Sequence, residues 1–176
     1  MLNEDTQGSS KNPRASLKSA KTVQNVLLRL TSNQAMEGRA DEFLKFVLDA
    51  SFNEKLYESV WPVLMMRLND GSGSQYRHAM KSLAVIRHLL VRGSLRVLTD
   101  IHTKLNPKMI EWILNHENVA VRGVRSKYRT LEHQRSNTNA RTQVRAQAIG
   151  VYRLSNDVSF YRRCRHVEKD KKKDNS

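Results

Sequence analysis

Residues 67–97 read Arg-Leu-Asn-Asp-Gly-Ser-Gly-Ser-Gln-Tyr-Arg-His-Ala-Met-Lys-Ser-Leu-Ala-Val-Ile-Arg-His-Leu-Leu-Val-Arg-Gly-Ser-Leu-Arg-Val. The pattern is the end of one helix, a Gly/Ser turn at 70–74, a long amphipathic helix over 75–92, a glycine stop at Gly93 and a new helix capped by Ser94. Met80, Leu83, Ala84, Ile86, Leu89 and Leu90 form an apolar stripe broad enough to contact helices on two sides, as in a superhelical stack. Basic side chains crowd the turn, namely Arg67, Arg77, His78 and Lys81. A compact cationic cluster at a helix junction suits an anionic headgroup better than it suits catalysis.

Helical spacing continues on both sides of this segment. Leu17, Ala20, Val23, Leu27 and Leu30 predict a helix over 16–30, stopped by Thr31-Ser32-Asn33. A second helix spans 39–50 with Phe43, Phe46 and Val47 inward, and Asn53 caps a third that runs to Asn69. Pro62 lies inside that third helix, where a missing donor and a clash cost roughly 3 kcal/mol, so a kink or restart near Trp61 is expected. The helix after Ser94 reaches about Lys104, and Asn106-Pro107 opens another that ends near His116. A short helix over 119–131, a loop at 135–139 and a last long helix over 141–155 follow, the latter with Val144, Ala148, Val151 and Leu154 on one face. A turn through Phe160-Tyr161 then leads into a lysine-rich tail. No stretch alternates as a strand does, so the expected fold is all-α, a right-handed superhelical stack of about seven to eight helices. Its domain is expected at 16–165, between a disordered 1–15 and a basic flexible tail at 166–176.

Composition narrows the function. The 176 residues suffice for one buried core, mostly aliphatic because aromatics make up only 6%. A net charge of +14 calls for an anionic partner, a phosphoinositide membrane or a nucleic acid. A single cysteine, Cys164, rules out an internal disulfide and fits a reducing compartment. The N-terminal stretch is polar and acidic, unlike a secretory signal, and no run approaches the roughly 18 apolar residues of a membrane span. The six histidines lack metal-binding spacing, and neither a phosphate loop nor a nucleophile elbow occurs. The chain reads as a binding module with no cofactor and no small-molecule substrate.

On these residues the chain resembles the epsin N-terminal homology (ENTH) domain, within the ENTH/ANTH/VHS superfamily. The motifs that carry the resemblance are Arg67-Leu68-Asn69-Asp70, Tyr76-Arg77-His78 with Lys81 and Leu83, and Gly93-Ser94-Leu95-Arg96-Val97. Thr31-Ser32-Asn33 and Val144-Arg145 with Ala148 add weaker echoes, and Tyr152 to Arg163 is similar to the sister ANTH class. The resemblance implies a phosphoinositide-binding adaptor in coated-vesicle traffic, peripheral on the cytoplasmic side of endocytic or trans-Golgi/endosomal membranes. The implied partners are phosphatidylinositol phosphates, with clathrin, adaptor complexes or SNAREs beyond them.

It also implies that Arg67, His78 and Lys81 contact phosphates and that Asn33 takes part, with Arg77, Arg29, Lys18 and Lys21 completing the basic set. The residues independently allow this. His78 and Lys81 are three apart on one helical face, Arg67 can meet them across the turn, and free amides at the helix start add donors.

Two departures limit the analogy. The stretch between Leu17 and Asn33 is too short for both a membrane-inserting helix and the first core helix, and Leu28 stands where the family has a pocket arginine, with Arg29 one place along. ANTH-type recognition has no better support, since no Lys-x-Lys-His cluster lies near the first helices. The residues leave three plainer or rival readings open. The cluster can be an ordinary solvated face, the stack can grip a short peptide as VHS-like and polymerase-tail-binding domains do, or the Arg-rich stretch 122–145 can bind nucleic acid. Low aromatic content argues against the last.

Overall fold

The computed structural model describes residues 19–34, 38–70, 76–105 and 131–174, the side chains of 131–141 and 169–174 excepted. Among the described residues the chain is entirely helical: α1 (Ala20–Leu30), α2 (Ala40–Ala50), α3 (Glu54–Tyr57), α4 (Val60–Asn69), α5 (Tyr76–Arg92), α6 (Arg96–Asp100), α7 (Leu131–Asn156) and α8 (Val158–Asp174). A wide π-helical turn, Ile101–Leu105, extends α6. No described helix is long and apolar enough to cross a membrane. The expected helices near 107–116 and 119–131, with Trp112, lie outside the described residues apart from Leu131.

The central element is α5. It packs most extensively on α7 and also meets α2, α4, α6 and α8, while α1 packs on α2 and α4. Ala79, Ser82, Leu83, Val85, Ile86, Leu89 and Leu90 are all buried, which is why the stripe had to be broad. Ala84 departs from the expectation: it is exposed, on the edge of the stripe between α2 and α8. From α7, Val144, Ala148, Val151 and Leu154 complete the core as their spacing required. Val23, Leu27 and Leu30 commit the apolar side of α1 to this core, so α1 is a core helix and its apolar face is not free for a bilayer.

The break before α4 has a clear cause. Asn53 Oδ1 accepts the Leu56 amide at 3.2 Å and caps α3, which ends after one turn. The chain restarts at Val60, so Pro62 falls in the first turn of α4, where its missing N–H would have had no helical partner. The interruption therefore precedes the proline by a few residues. Gly93 stops α5 for a steric reason: a Cβ there would lie 2.5 Å from Leu89 O and 3.0 Å from Ser51 Oγ. Ser94 Oγ then accepts the Arg96 amide at 3.3 Å.

One expectation fails in the C-terminal third. Residues 135–139 are not a loop, because α7 runs through them without interruption. Ser, Asn and Thr each cost only about 0.5 kcal/mol in a helix, too little to break one continued by an apolar face. The lysine-rich stretch after Glu168 lies within α8 as far as Asp174. Two contacts anchor that helix. Arg165 donates to Leu90 O at 3.2 Å and Gly93 O at 2.9 Å, capping α5, and Glu168 pairs with Arg92 at 2.7 Å.

Candidate functional site

The last turn of α4, the first turns of α5 and the end of α1 converge. Packing of α1 on α4 sets the C-terminal carbonyls of α1 beside Arg67, and the short connection between α4 and α5 returns His78 and Lys81 to the same place. Arg67 Nη2 donates to Leu28 O at 3.3 Å, one of the carbonyls that the end of α1 leaves without a helical donor. Arg67 Nη1 lies 3.3 Å from His78 Nδ1 and 3.5 Å from Nε2, long contacts of which a neutral ring accepts one from the guanidinium, at the nearer nitrogen. Lys81 Nζ donates to Ser32 O at 2.5 Å and Gln34 O at 2.9 Å, so its ammonium latches the turn after α1 onto α5. Asn33, half-buried, sits between those two anchors in the chain.

The electrostatics are those of crowded cations. Burial holds His78 below its ordinary range, the Arg67 and Lys81 charges push it further down, and Asp70 opposes them. His78 is therefore neutral at pH 7. Burial also lowers Lys81, with the Arg77 charge second. Arg67, Arg77 and Lys81 have no carboxylate ion-pair partner among the described residues, whereas Arg92, Arg96 and Lys104 each have one elsewhere. Backbone carbonyls hold Arg67 and Lys81 in place of acids. Lys81 has three N–H donors and uses two, leaving the third for an anion. The neutral His78 ring, accepting from Arg67 at the nearer nitrogen, retains one N–H donor.

Not every expected residue joins this cluster. Arg77 is exposed at its rim, its Nε 3.4 Å from Tyr76 Oη and its guanidinium 6.0 Å from that ring. Arg29 is exposed in the last turn of α1, and it is the Leu28 carbonyl, not a side chain at that place, that reaches Arg67. Lys21 is exposed at the opposite end of α1, about 10 Å along the axis from Leu28. Lys18 lies outside the described residues, as do residues 122–130 of the Arg-rich stretch 122–145 and the side chains of 131–141. The carbonyls of Leu28, Ser32 and Gln34 were not legible in the sequence, since any residue supplies a carbonyl. No group of acidic, histidine and cysteine side chains suited to a metal occurs among the described residues.

The fold and this junction define a helical stack with a cationic cluster whose spare N–H donors are of the kind an anion takes. The profile of the ENTH domain matches residues 20–161, and the chain belongs to the ENTH-domain family. Among solved structures it is similar to the ENTH domain from epsin-2 in complex with phosphatidylinositol 4,5-bisphosphate, at 19% identity and TM-score 0.61 over 89% of this chain and 98% of that one. It is also similar to the yeast Ent2 ENTH domain, at 20% identity and TM-score 0.62 over 83% of this chain and 97% of that one. No curated protein sequence matches it.

Proposed function

We propose that the chain is a non-catalytic membrane adaptor of vesicle traffic that recognises phosphorylated inositol headgroups through Arg67, His78 and Lys81. The observation that carries this reading is the pair of cations, Arg67 and Lys81, held on the carbonyls of Leu28, Ser32 and Gln34 with no carboxylate ion-paired to them among the described residues. Family membership and the phosphoinositide bound to the epsin-2 relative support it. Arg67 supplies a planar fork, Lys81 a point charge with a spare donor, and His78 a neutral donor that gains charge when a phosphate arrives. Asn33 and Arg77 border the pocket, while Arg29, Lys21 and Lys18 serve as longer-range attraction to an anionic surface. Attachment is peripheral, on the cytoplasmic side of endocytic or trans-Golgi/endosomal membranes, with coat components or SNAREs as further partners.

Vesicle sedimentation tests this reading. Vesicles carrying a phosphorylated inositol lipid should retain the protein well above phosphatidylserine vesicles of matched charge. Equal retention would reduce the interaction to the electrostatics of a +14 chain.

A further inference from the structure

Beyond the cationic pocket, one to three turns further along α5, lies an open cleft of about 1000 Å³. One wall is a complete face of α5: Ala84, Arg87, His88, Val91 and Arg92, at positions i, i+3, i+4, i+7 and i+8. The opposite wall repeats that spacing on α8 with Phe160, Arg163, Cys164, Val167 and Glu168. Leu44 of α2 lies between them. Two helix faces thus border a trough that no helix among the described residues fills, and its apolar lining is open to solvent, with Phe160 37% and Val167 54% exposed.

The charges of the trough are unequal in their partners. Arg92 is neutralised by Glu168 at 2.7 Å, a contact that also fixes α8 against α5. Arg87 and Arg163 are exposed and have no ion-pair partner among the described residues, and Asp41 is the one further acid on the lining. We propose that this trough is a docking site for an acidic amphipathic helix of a partner protein. Its apolar stripe lies along Leu44, Val91, Phe160 and Val167, and its carboxylates meet Arg87 and Arg163. From Ala84 to Arg92 the wall is about 12 Å long, so two to three turns of helix fill it with apolar anchors at i, i+3 or i+4, and i+7. The site uses none of Arg67, His78 or Lys81 and does not depend on headgroup recognition.

The test is a display selection on the full chain, using a library of peptides about 18 residues long with a randomised Leu/Ile/Val/Phe/Met stripe flanked by Glu and Asp. A matched library replaces every acid with Lys or Arg. The acidic library should enrich binders and the basic one should not. Enriched peptides should lose about tenfold or more in affinity on Ala84→Trp, which fills the trough at an exposed position, and on Arg87→Glu with Arg163→Glu. They should keep their affinity on Arg67→Ala. Cys164 is the sole cysteine and lines the trough, so bound peptide should slow its alkylation in the unsubstituted protein, a readout independent of how any variant folds. The proposal is overturned if neither library enriches, if both enrich alike, or if selected peptides leave the Cys164 alkylation rate unchanged.

Discussion

Replacing Arg67 with alanine separates a pocket residue from a structural clamp, because its contacts predict opposite outcomes for binding and stability. In the free protein the side chain gives α4 one hydrogen bond to α1, at 3.3 Å to Leu28 O, and a long contact to His78. Hydrogen bonds involving a charged group contribute about 1.5–3 kcal/mol at good geometry, and at this length the lower figure applies. Against it stands Arg67 Nε, which is buried with no hydrogen-bond acceptor and costs about 1–3 kcal/mol in lost hydration. The two nearly cancel, so the variant should unfold within about 4 °C of the parent.

Binding has no such offset. Losing a charge-assisted contact to phosphate worth about 1.5–3 kcal/mol raises Kd about 10- to 150-fold, which calorimetry with a soluble phosphorylated inositol headgroup would measure. A second signature follows from His78, whose pKa lies below the ordinary value of about 6.5 through burial first and Arg67 next. Without Arg67 the ring should titrate closer to that value by NMR. In the parent, phosphate raises the His78 pKa, so binding takes up protons and should tighten as pH falls from the raised pKa of the complex toward the depressed pKa of the free protein. A Tm drop beyond about 6 °C with less than about threefold change in Kd would refute the reasoning and make Arg67 a clamp.

Lys81→Met should weaken headgroup binding about 10-fold or more and speed amide exchange in the turn around Ser32, since the latch to Ser32 O and Gln34 O goes with the charge. Faster exchange with unchanged affinity would leave Lys81 a structural residue only. Gly93→Ala should destabilise the fold by about 1–3 kcal/mol, visible in urea unfolding, because its Cβ would meet the Leu89 carbonyl at 2.5 Å. His78 and His88 are both held below their ordinary values, His88 by burial first and the Arg92 charge second. The unfolded chain then protonates first on acidification, so their contribution is complete above about pH 6.5 and is lost as pH falls through the depressed folded values. Urea midpoints should drop between pH 7 and pH 5, and a His78→Gln/His88→Gln variant should flatten that slope.

Much of the architecture was legible because single positions determine it. The spacing of Val144, Ala148, Val151 and Leu154 predicts a buried face wherever the helix begins. Asn53 and Gly93 mark boundaries by hydrogen bonding and by steric exclusion. Residues 135–139 misled because the four weak helix formers after Arg135 read as a loop when isolated, while helix continuity belongs to the whole of α7. At the pocket, the residue types Arg67, His78 and Lys81 were visible, and so was their junction. What held them was not, since main-chain carbonyls carry no residue signature. Ala84 shows the converse limit: its periodicity fits the core, but α2 and α8 leave it facing a trough.

The guanidinium of Arg165 bears on how this protein can be trimmed. The family match ends at residue 161, a natural place to cut an expression fragment. Such a fragment would lack the two hydrogen bonds from Arg165 to Leu90 O and Gly93 O, and the Glu168 carboxylate that pairs with Arg92. All three end on the last turn of α5 or on the glycine that closes it, and the first turns of that helix carry His78 and Lys81. Sequence similarity therefore stops short of the mechanical unit, which extends at least to Glu168. A headgroup-binding assay on the shorter fragment would be measuring a helix freed at its far end.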